Sequence, residues 1–244
     1  MAEWFKDWFN TEEYLDVYKH RNEDDAKGLI DLILSKVNIP SGSKVLDMAC
    51  GAGRHSILFA QHGYKVTAVD LSEKLIKVAK QTAAETNVKV DFIESDLRQF
   101  AISEKFELVV NLFTSFGYFE KDNENFKIIK TAFDHLKENG YFILDFFNQR
   151  YVETHLKNKS VEIIPGGLIT QERKIENSRV KKFITINKYE IEQKFFESVR
   201  MFKPEELISA VVSTGFKVNE ILGDFEGNSF NFSTSPRVIL IAQK

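Results

Sequence analysis

The stretch KVLDMACGAGRHS, residues 44–56, decides the fold of the 244-residue chain. An apolar run carrying a single acid, Asp47, breaks into closely spaced glycines at Gly51 and Gly53. A continuous apolar strand of this kind is the pattern of one buried on both faces of a sheet. A glycine-rich turn directly after such a strand lets backbone approach a nucleotide-like ligand. Three loops share that outline, and the residues around the glycines separate them.

The phosphate loop ends in Gly-Lys-Ser/Thr to supply charge and hold magnesium, whereas Gly53 is followed by Arg54, His55 and Ser56. The dinucleotide fingerprint runs G-x-G-x-x-G/A, and its third place is occupied here by Ser56. Asp47 is more telling. A carboxylate just ahead of the turn repels a pyrophosphate but suits a ligand with a cationic amine. S-adenosylmethionine carries such an amine and a sulfonium, and no phosphate. Asp70 ends a second strand, YKVTAVDL, 17 residues beyond Gly53, where a carboxylate can accept both hydrogen bonds of a ribose diol. Asp96, in ESDL, ends a third strand, where an adenine amino group needs an acceptor. An acid alone often ends a strand or caps a helix. Three at successive carboxyl ends of parallel strands form one crevice edge.

The rest of the chain alternates. Residues 12–37 read as a helix or two, with Leu29, Ile30, Ile33, Leu34 and Val37 at helical spacing. Gly63 stops the helix after the glycine turn, and Ser72 is an N-cap for a helix to about Glu85. FELVVNLF and YFILDFFN supply a fourth and fifth strand, separated by a helix whose stripe is Phe126, Ile129, Phe133 and Leu136, closed by ENG. The rhythm breaks at 149–203, where β-rich stretches with turn signals at PGG and ENS predict antiparallel strands or hairpins. It resumes at Pro204, a good first helical residue followed by Glu205 and Glu206, and Gly215 ends that helix. FKVNEILGDF and RVILIAQK give two last strands. The predicted fold is α/β, a Rossmann-like seven-stranded and mostly parallel sheet with helices on both faces, plus an antiparallel insertion between the fifth strand and the last helix. The expected organisation is one domain over 1–244: an N-terminal helical lid at 1–40, a cofactor-binding core at 41–148 and 204–244, and the insertion at 149–203.

Composition narrows the function. The 36 acids and 33 bases leave a net charge of −3 without a block of either sign, which argues against nucleic acid as the main partner. The single cysteine, Cys50, allows no intramolecular disulfide and reads as a small buried filler in the turn. The opening MAEWFKDWFN lacks the order of a signal peptide, and no uncharged apolar run nears the ~20 residues that span a bilayer. The expectation is a cytoplasmic protein away from membranes, monomeric or homodimeric, acting on a small molecule. The sparse histidines and lone cysteine give no metal-ligand spacing.

These motifs resemble the class I S-adenosylmethionine-dependent methyltransferases, from about Tyr14 to Lys244. VLDMACGAG is similar to their D-x-G-x-G-x-G motif with Ala49 in place of the first glycine, VTAVDLS to the ribose motif and ESDL to the adenine motif. NLFTSFGYF, LKENGYFILD and RMFKPEELISAVVSTGFKV look like a subgroup of small bacterial members, largely of unassigned substrate. The resemblance implies seven strands with the last antiparallel, and S-adenosyl-L-methionine as cofactor with S-adenosyl-L-homocysteine as product. It places Gly51 and Gly53 where backbone approaches the cofactor, Asp47 and the Ala49 carbonyl at its amine end, and Asp70 with Leu71 at the ribose. Asp96 and the Leu97 amide would hold adenine, and Asn111 would lend backbone contacts near the sulfonium. Tyr14, Tyr18 and Arg21 resemble lid residues that cover the cofactor and meet its carboxylate, although helix packing or a solvated charge accounts for them equally.

Methyl transfer from a sulfonium is an in-line displacement, so the protein mainly aligns the partners and excludes water, and no catalytic residue is assigned. NLFTSFGYFE follows the fourth strand at the edge where the methyl group would emerge. There Thr114, Ser115 and Tyr118 offer hydroxyls while Phe113, Phe116 and Phe119 could exclude water. Asn148 and Arg200 are further candidates for the acceptor pocket, and His55 reads as packing or capping at its helix start.

Overall fold

A computed structural model describes residues 3–18 and 23–244. The elements run α1 (Trp4–Trp8), α2 (Glu12–Tyr18), α3 (Glu23–Lys36), β1 (Lys44–Met48), α4 (Arg54–Gln61), β2 (Lys65–Asp70), α5 (Glu73–Glu85), β3 (Val90–Glu94), β4 (Phe106–Asn111), α6 (Asp122–His135) and β5 (Leu136–Phe147). They continue as α7 (Gln149–His155), β6 (Lys159–Ile164), β7 (Gly167–Glu176), β8 (Arg179–Lys188), β9 (Ile191–Arg200), α8 (Pro204–Thr214), β10 (Lys217–Leu222) and β11 (Arg237–Gln243).

Seven strands form one sheet in the order β10-β11-β5-β4-β1-β2-β3. β11 is antiparallel to both its neighbours, β10 and β5, while β1–β5 are parallel. The seven-stranded, mostly parallel fold with its last strand antiparallel is therefore present. Alternation along the central strands explains the two layers of helices. Leu46, Met48, Val109, Phe142 and Leu144 pack on one face with Ile128, Ile129 and Ala132 of α6 and Leu207 and Val211 of α8. Val45, Leu108, Val110 and Ile143 pack on the other with Leu29, Ile30 and Ile33 of α3 and Phe59 of α4. Strand order reverses at β1, between β4 and β2, and a crevice opens there at the carboxyl edge.

The second sheet, β6-β7-β8-β9, is wholly antiparallel and is built from hairpins. Segment 149–203 opens with a short helix, α7, which strand patterning did not predict. The turns at Asn177–Ser178 and Tyr189–Glu190 place both central residues at positive φ, the geometry two-residue hairpins need. The second has neither Gly nor Asn, so nothing in its composition marked it. Ile169, Ile184 and Ile186 on the inner face of this sheet pack with Trp8, Tyr14 and Val17 of the N-terminal helices.

Two expectations need correction. The predicted helix or two over 12–37 is α2 and α3, but an additional helix, α1, precedes them. Its Trp4, Phe5, Trp8 and Phe9 recur at helical spacing. Leu136 does not complete the α6 stripe: the helix stops at His135, and Leu136 opens β5 by pairing with Phe106. The Asn139-Gly140 pair sits inside β5, at the register shift between Phe106 and Leu108, with Asn139 at φ 61°. Among the described residues no helix is long and apolar enough to cross a membrane.

Candidate active site

The carboxyl end of β1 leads into a turn with left-handed backbone at alternate residues, Ala49 at φ 60°, Gly51 at 56° and Gly53 at 79°. Each glycine answers a different need. A Cβ on Gly51 would meet no heavy atom within 4 Å, because that position faces open space. A Cβ on Gly53 would lie 2.8 Å from the Ala79 Cβ and 3.1 Å from the Phe92 ring, so Gly53 lets α4 start against α5 and β3. Gly53 is thus a packing residue rather than a cavity residue.

Two buried acids hold the turn. Asp70 accepts the Gly51 N–H at 2.7 Å and the Ser72 N–H at 2.9 Å, one on each carboxylate oxygen. Burial raises its pKa, and the Ser72, Gly51 and Leu71 amides oppose the rise. Asp47 accepts the Ser56 hydroxyl at 2.5 Å. Burial pushes its carboxyl up to about 7, against the Ser56 hydrogen bond and with help from the Asp70 charge. Among the described residues only Ser56 and the Asp70 charge act on Asp47, and no lysine or arginine pairs with it. A buried carboxylate without a cation is the natural partner of a ligand's ammonium group. Cys50 lies beside both acids, and burial first, then their charges, push its thiol well up, which removes it as a nucleophile.

Two adjoining cavities occupy the crevice and share Phe9, Ala49, Asp70, Ser115 and Tyr118. The larger, about 240 Å³, is lined by Asp47, Gly51, Tyr14, Tyr18, Arg54, His55 and Phe113 among others. The smaller, about 60 Å³, takes in Leu71, Asp96, Leu97 and Phe116. The structure thus gathers most of the predicted site residues around one crevice. Asp96 is not a free acceptor within it. Burial alone would raise its carboxyl, but Arg98 outweighs that and holds it below the usual range, with Nε at 3.0 Å and Nη2 at 2.5 Å. Arg98 also reaches Glu3 at 2.6 Å and Glu124 at 3.1 Å, and lies over the Phe119 ring.

Besides Gly53, four predicted residues stand elsewhere. Asn111 is fully buried outside both cavities, its amide donating to the Met48 carbonyl at 2.8 Å and the Ser115 carbonyl at 3.2 Å, so it ties β1 to the turn after β4. Thr114 lines neither cavity, although its neighbours do. Asn148 does not face the pocket: it caps α7 by accepting the Arg150 N–H, and its amide donates to the Phe232 and Ser235 carbonyls. Arg200 borders a separate cleft of about 830 Å³, where it pairs with Asp122 at 3.3 Å and Glu206 at 3.0 Å. Arg21 lies outside the described residues.

The sequence reading missed Phe9, Leu15 and Leu112 and set His55 aside, yet all four line the larger cavity. Phe9 belongs to the aromatic run EWFKDWFN, whose helical spacing was the available signal. The aromatic helices are fixed from two sides. The Ser72 hydroxyl lies 2.8 Å from the Phe9 carbonyl and 2.8 Å from Asn10 Oδ1, while accepting the Leu75 N–H at 3.1 Å. From the second sheet, Glu197 accepts Trp8 Nε1 at 2.7 Å and the Tyr18 hydroxyl at 2.6 Å, and pairs with Lys182 at 3.3 Å.

Residues 45–140 match the methyltransferase domain family. YqeM of Bacillus subtilis strain 168, which carries a methyltransferase name, is 24% identical over 225 residues, covering 86% of this chain and 87% of that protein. The dTDP-3-amino-3,4,6-trideoxy-alpha-D-glucopyranose N,N-dimethyltransferase of Streptomyces venezuelae is 28% identical over 131 residues, 52% of this chain and 53% of that enzyme. Among solved structures, an S-adenosylmethionine-dependent methyltransferase from Clostridium acetobutylicum ATCC 824 superposes with a TM-score of 0.81 at 20% identity, over 95% of this chain and 97% of that one.

Proposed function

We propose that the chain, whose residues 45–140 match the methyltransferase domain family, is a class I S-adenosylmethionine-dependent methyltransferase that methylates a nitrogen or oxygen atom of a small-molecule acceptor. The observation that carries this reading is the crevice at the carboxyl edge of β1, β2 and β4, with a buried acid and an aromatic wall. When bound, S-adenosylmethionine supplies a methyl carbon already activated by a sulfonium. Asp47 and the Ala49 carbonyl hold the amine, and the open face at Gly51 leaves room for the methionyl chain. Asp70 takes the ribose diol, and Leu71, Leu97 and Asp96 border the adenine.

Tyr14 and Tyr18 of the N-terminal helices and Tyr118 of the turn after β4 exclude water from the reacting centre. Phe113 and Ser115 border the space left for the acceptor. An acceptor that attacks as a free amine or ionised hydroxyl needs no protein base at that moment. The balanced charge of the chain, without a basic block, favours a small acceptor over a nucleic acid.

The test is incubation of the protein with methyl-labelled S-adenosylmethionine and a fractionated metabolite extract. Label is expected in a small-molecule fraction, saturable and blocked by S-adenosylhomocysteine. Tight S-adenosylhomocysteine binding with no transfer to any fraction would establish a non-catalytic binding protein instead. Label on tRNA or protein would reassign the acceptor class.

A further inference from the structure

Phe113 and Thr114, in the turn after β4, both have left-handed backbone, at φ 57° and 65°. Neither residue favours that region: one is bulky and aromatic, the other β-branched. Such conformations persist only where the surroundings over-determine them. One side chain does so. Asp145 of β5 is fully buried and lines neither cavity of the crevice. Its carboxylate accepts the Phe113 N–H at 2.8 Å, and its main-chain carbonyl accepts the Thr114 N–H at 3.1 Å. The other carboxylate oxygen is held by Arg237, with Nε at 2.8 Å and Nη2 at 2.7 Å. The Arg237 guanidinium also lies 5.9 Å from the Phe113 ring centre and 5.5 Å from that of Phe225.

Stability does not explain this pair. A buried ion pair on an inner strand is commonly matched or bettered by aliphatic residues, and the neighbours Leu144 and Phe146 are themselves fully buried. The carboxylate does what an aliphatic side chain cannot, which is to accept the peptide N–H of Phe113, a residue in strained backbone. Asn111 restrains the same turn from the β1 side through the Ser115 carbonyl. The turn is therefore held at both ends while its middle carries the Phe113 ring, a wall of the larger cavity.

We propose that Asp145, itself held by Arg237, is a positioning residue that locks Phe113 and Thr114 in the left-handed turn and thereby sets the wall against which the acceptor is placed. The acceptor part rests on the small-molecule methyl-transfer reading above. Without the carboxylate the turn relaxes toward extended backbone and the Phe113 ring leaves its place, with the cofactor side of the crevice untouched.

The experiment uses Asp145→Leu, which leaves no side-chain acceptor for the Phe113 N–H, in the full chain with three measurements. Amide hydrogen exchange by NMR, with S-adenosylhomocysteine bound, is expected to speed up at least tenfold at Phe113 and Thr114 and to stay unchanged at Val109 and Ile143. The Kd for S-adenosylhomocysteine is expected to stay within twofold of the parent chain. The half-saturating dose of the small-molecule fraction that the parent chain methylates is expected to rise at least fivefold at saturating S-adenosylmethionine. Adding Thr114→Gly, which relieves the left-handed penalty, is expected to restore that dose to within twofold. The double variant Asp145→Leu with Arg237→Leu, which leaves no unpaired buried charge, gives the same readings should Asp145→Leu fail to fold. Unchanged exchange at Phe113 and Thr114, parallel loss of cofactor binding, or failure of Thr114→Gly to restore the dose overturns the proposal. The exchange measurement needs no acceptor. If the parent chain labels no fraction, the small-molecule reading falls while exchange still decides the role of Asp145.

Discussion

Asp47→Asn is expected to stabilise the cofactor-free protein above neutral pH while removing most of its cofactor affinity. In the folded chain the Asp47 carboxyl is pushed from its ordinary 3.8 to about 7. Between those values the folded state binds a proton that the unfolded state has released. Stability therefore falls as pH rises through that window, and the whole loss is present above it. The full shift corresponds to roughly 4 kcal/mol. Asparagine escapes this cost, because its amide oxygen can still accept the Ser56 hydroxyl and it never ionises. Urea unfolding at two pH values checks the sign: variant and parent chain are expected to lie close near pH 4 and to separate by several kcal/mol at pH 8. Binding moves the other way. The ammonium group of S-adenosylhomocysteine favours the ionised acid, so losing that charge-assisted hydrogen bond should cost about 1.5–3 kcal/mol of affinity. Calorimetric titration reads that directly, and equal affinity in variant and parent chain would remove Asp47 from the amine site.

Gly53→Ala is expected to destabilise the fold by about 2–5 kcal/mol. The new methyl group must accept left-handed backbone, worth roughly 1–2 kcal/mol, and must enter space already filled by Ala79 and Phe92, at 2.8 and 3.1 Å. Overpacking of that kind typically adds about 1–3 kcal/mol. Gly51→Ala is the matched control. It carries the same backbone penalty but meets no atom within 4 Å, so its stability loss should be the smaller of the two. Its methyl group instead enters the crevice, and S-adenosylhomocysteine affinity should fall. Denaturation midpoints and titrations of the two variants separate a packing glycine from a ligand-facing one. Equal stability losses in the two variants would contradict the assignment.

The core of the fold was legible because each part of it rests on a local signal. Continuous apolar strands, Ser72 as a cap, Pro204 at a helix start and Gly215 at a helix end are each written within a few residues. The acids at the ends of β1, β2 and beyond β3 were legible for the same reason: strand ends fix their places. What escaped depends on contacts across the chain. Asp96 reads as an adenine acceptor until Arg98, two residues on, turns back on it in company with Glu3 and Glu124. Asn148 reads as a pocket residue until the 232–235 segment folds over it. Asp145 gives no sign in sequence of its hold on Phe113, since the two are 32 positions apart and meet only through the pairing of β4 and β5. The same holds for Leu136, a plausible helix residue until Phe106 claims it for the sheet.

The Ser72 residue joins two things that sequence keeps far apart. Its N–H is held by Asp70, and its hydroxyl touches the Phe9 carbonyl and Asn10. Asp70 and the aromatic helices over the crevice are therefore one mechanical unit. Thermodynamic reciprocity then requires that whatever favours the seated helices tightens cofactor binding by the same factor that the cofactor favours seating. Affinity for the cofactor then depends on Glu197 and Lys182 of the second sheet, which hold the aromatic helices, as well as on the glycine turn.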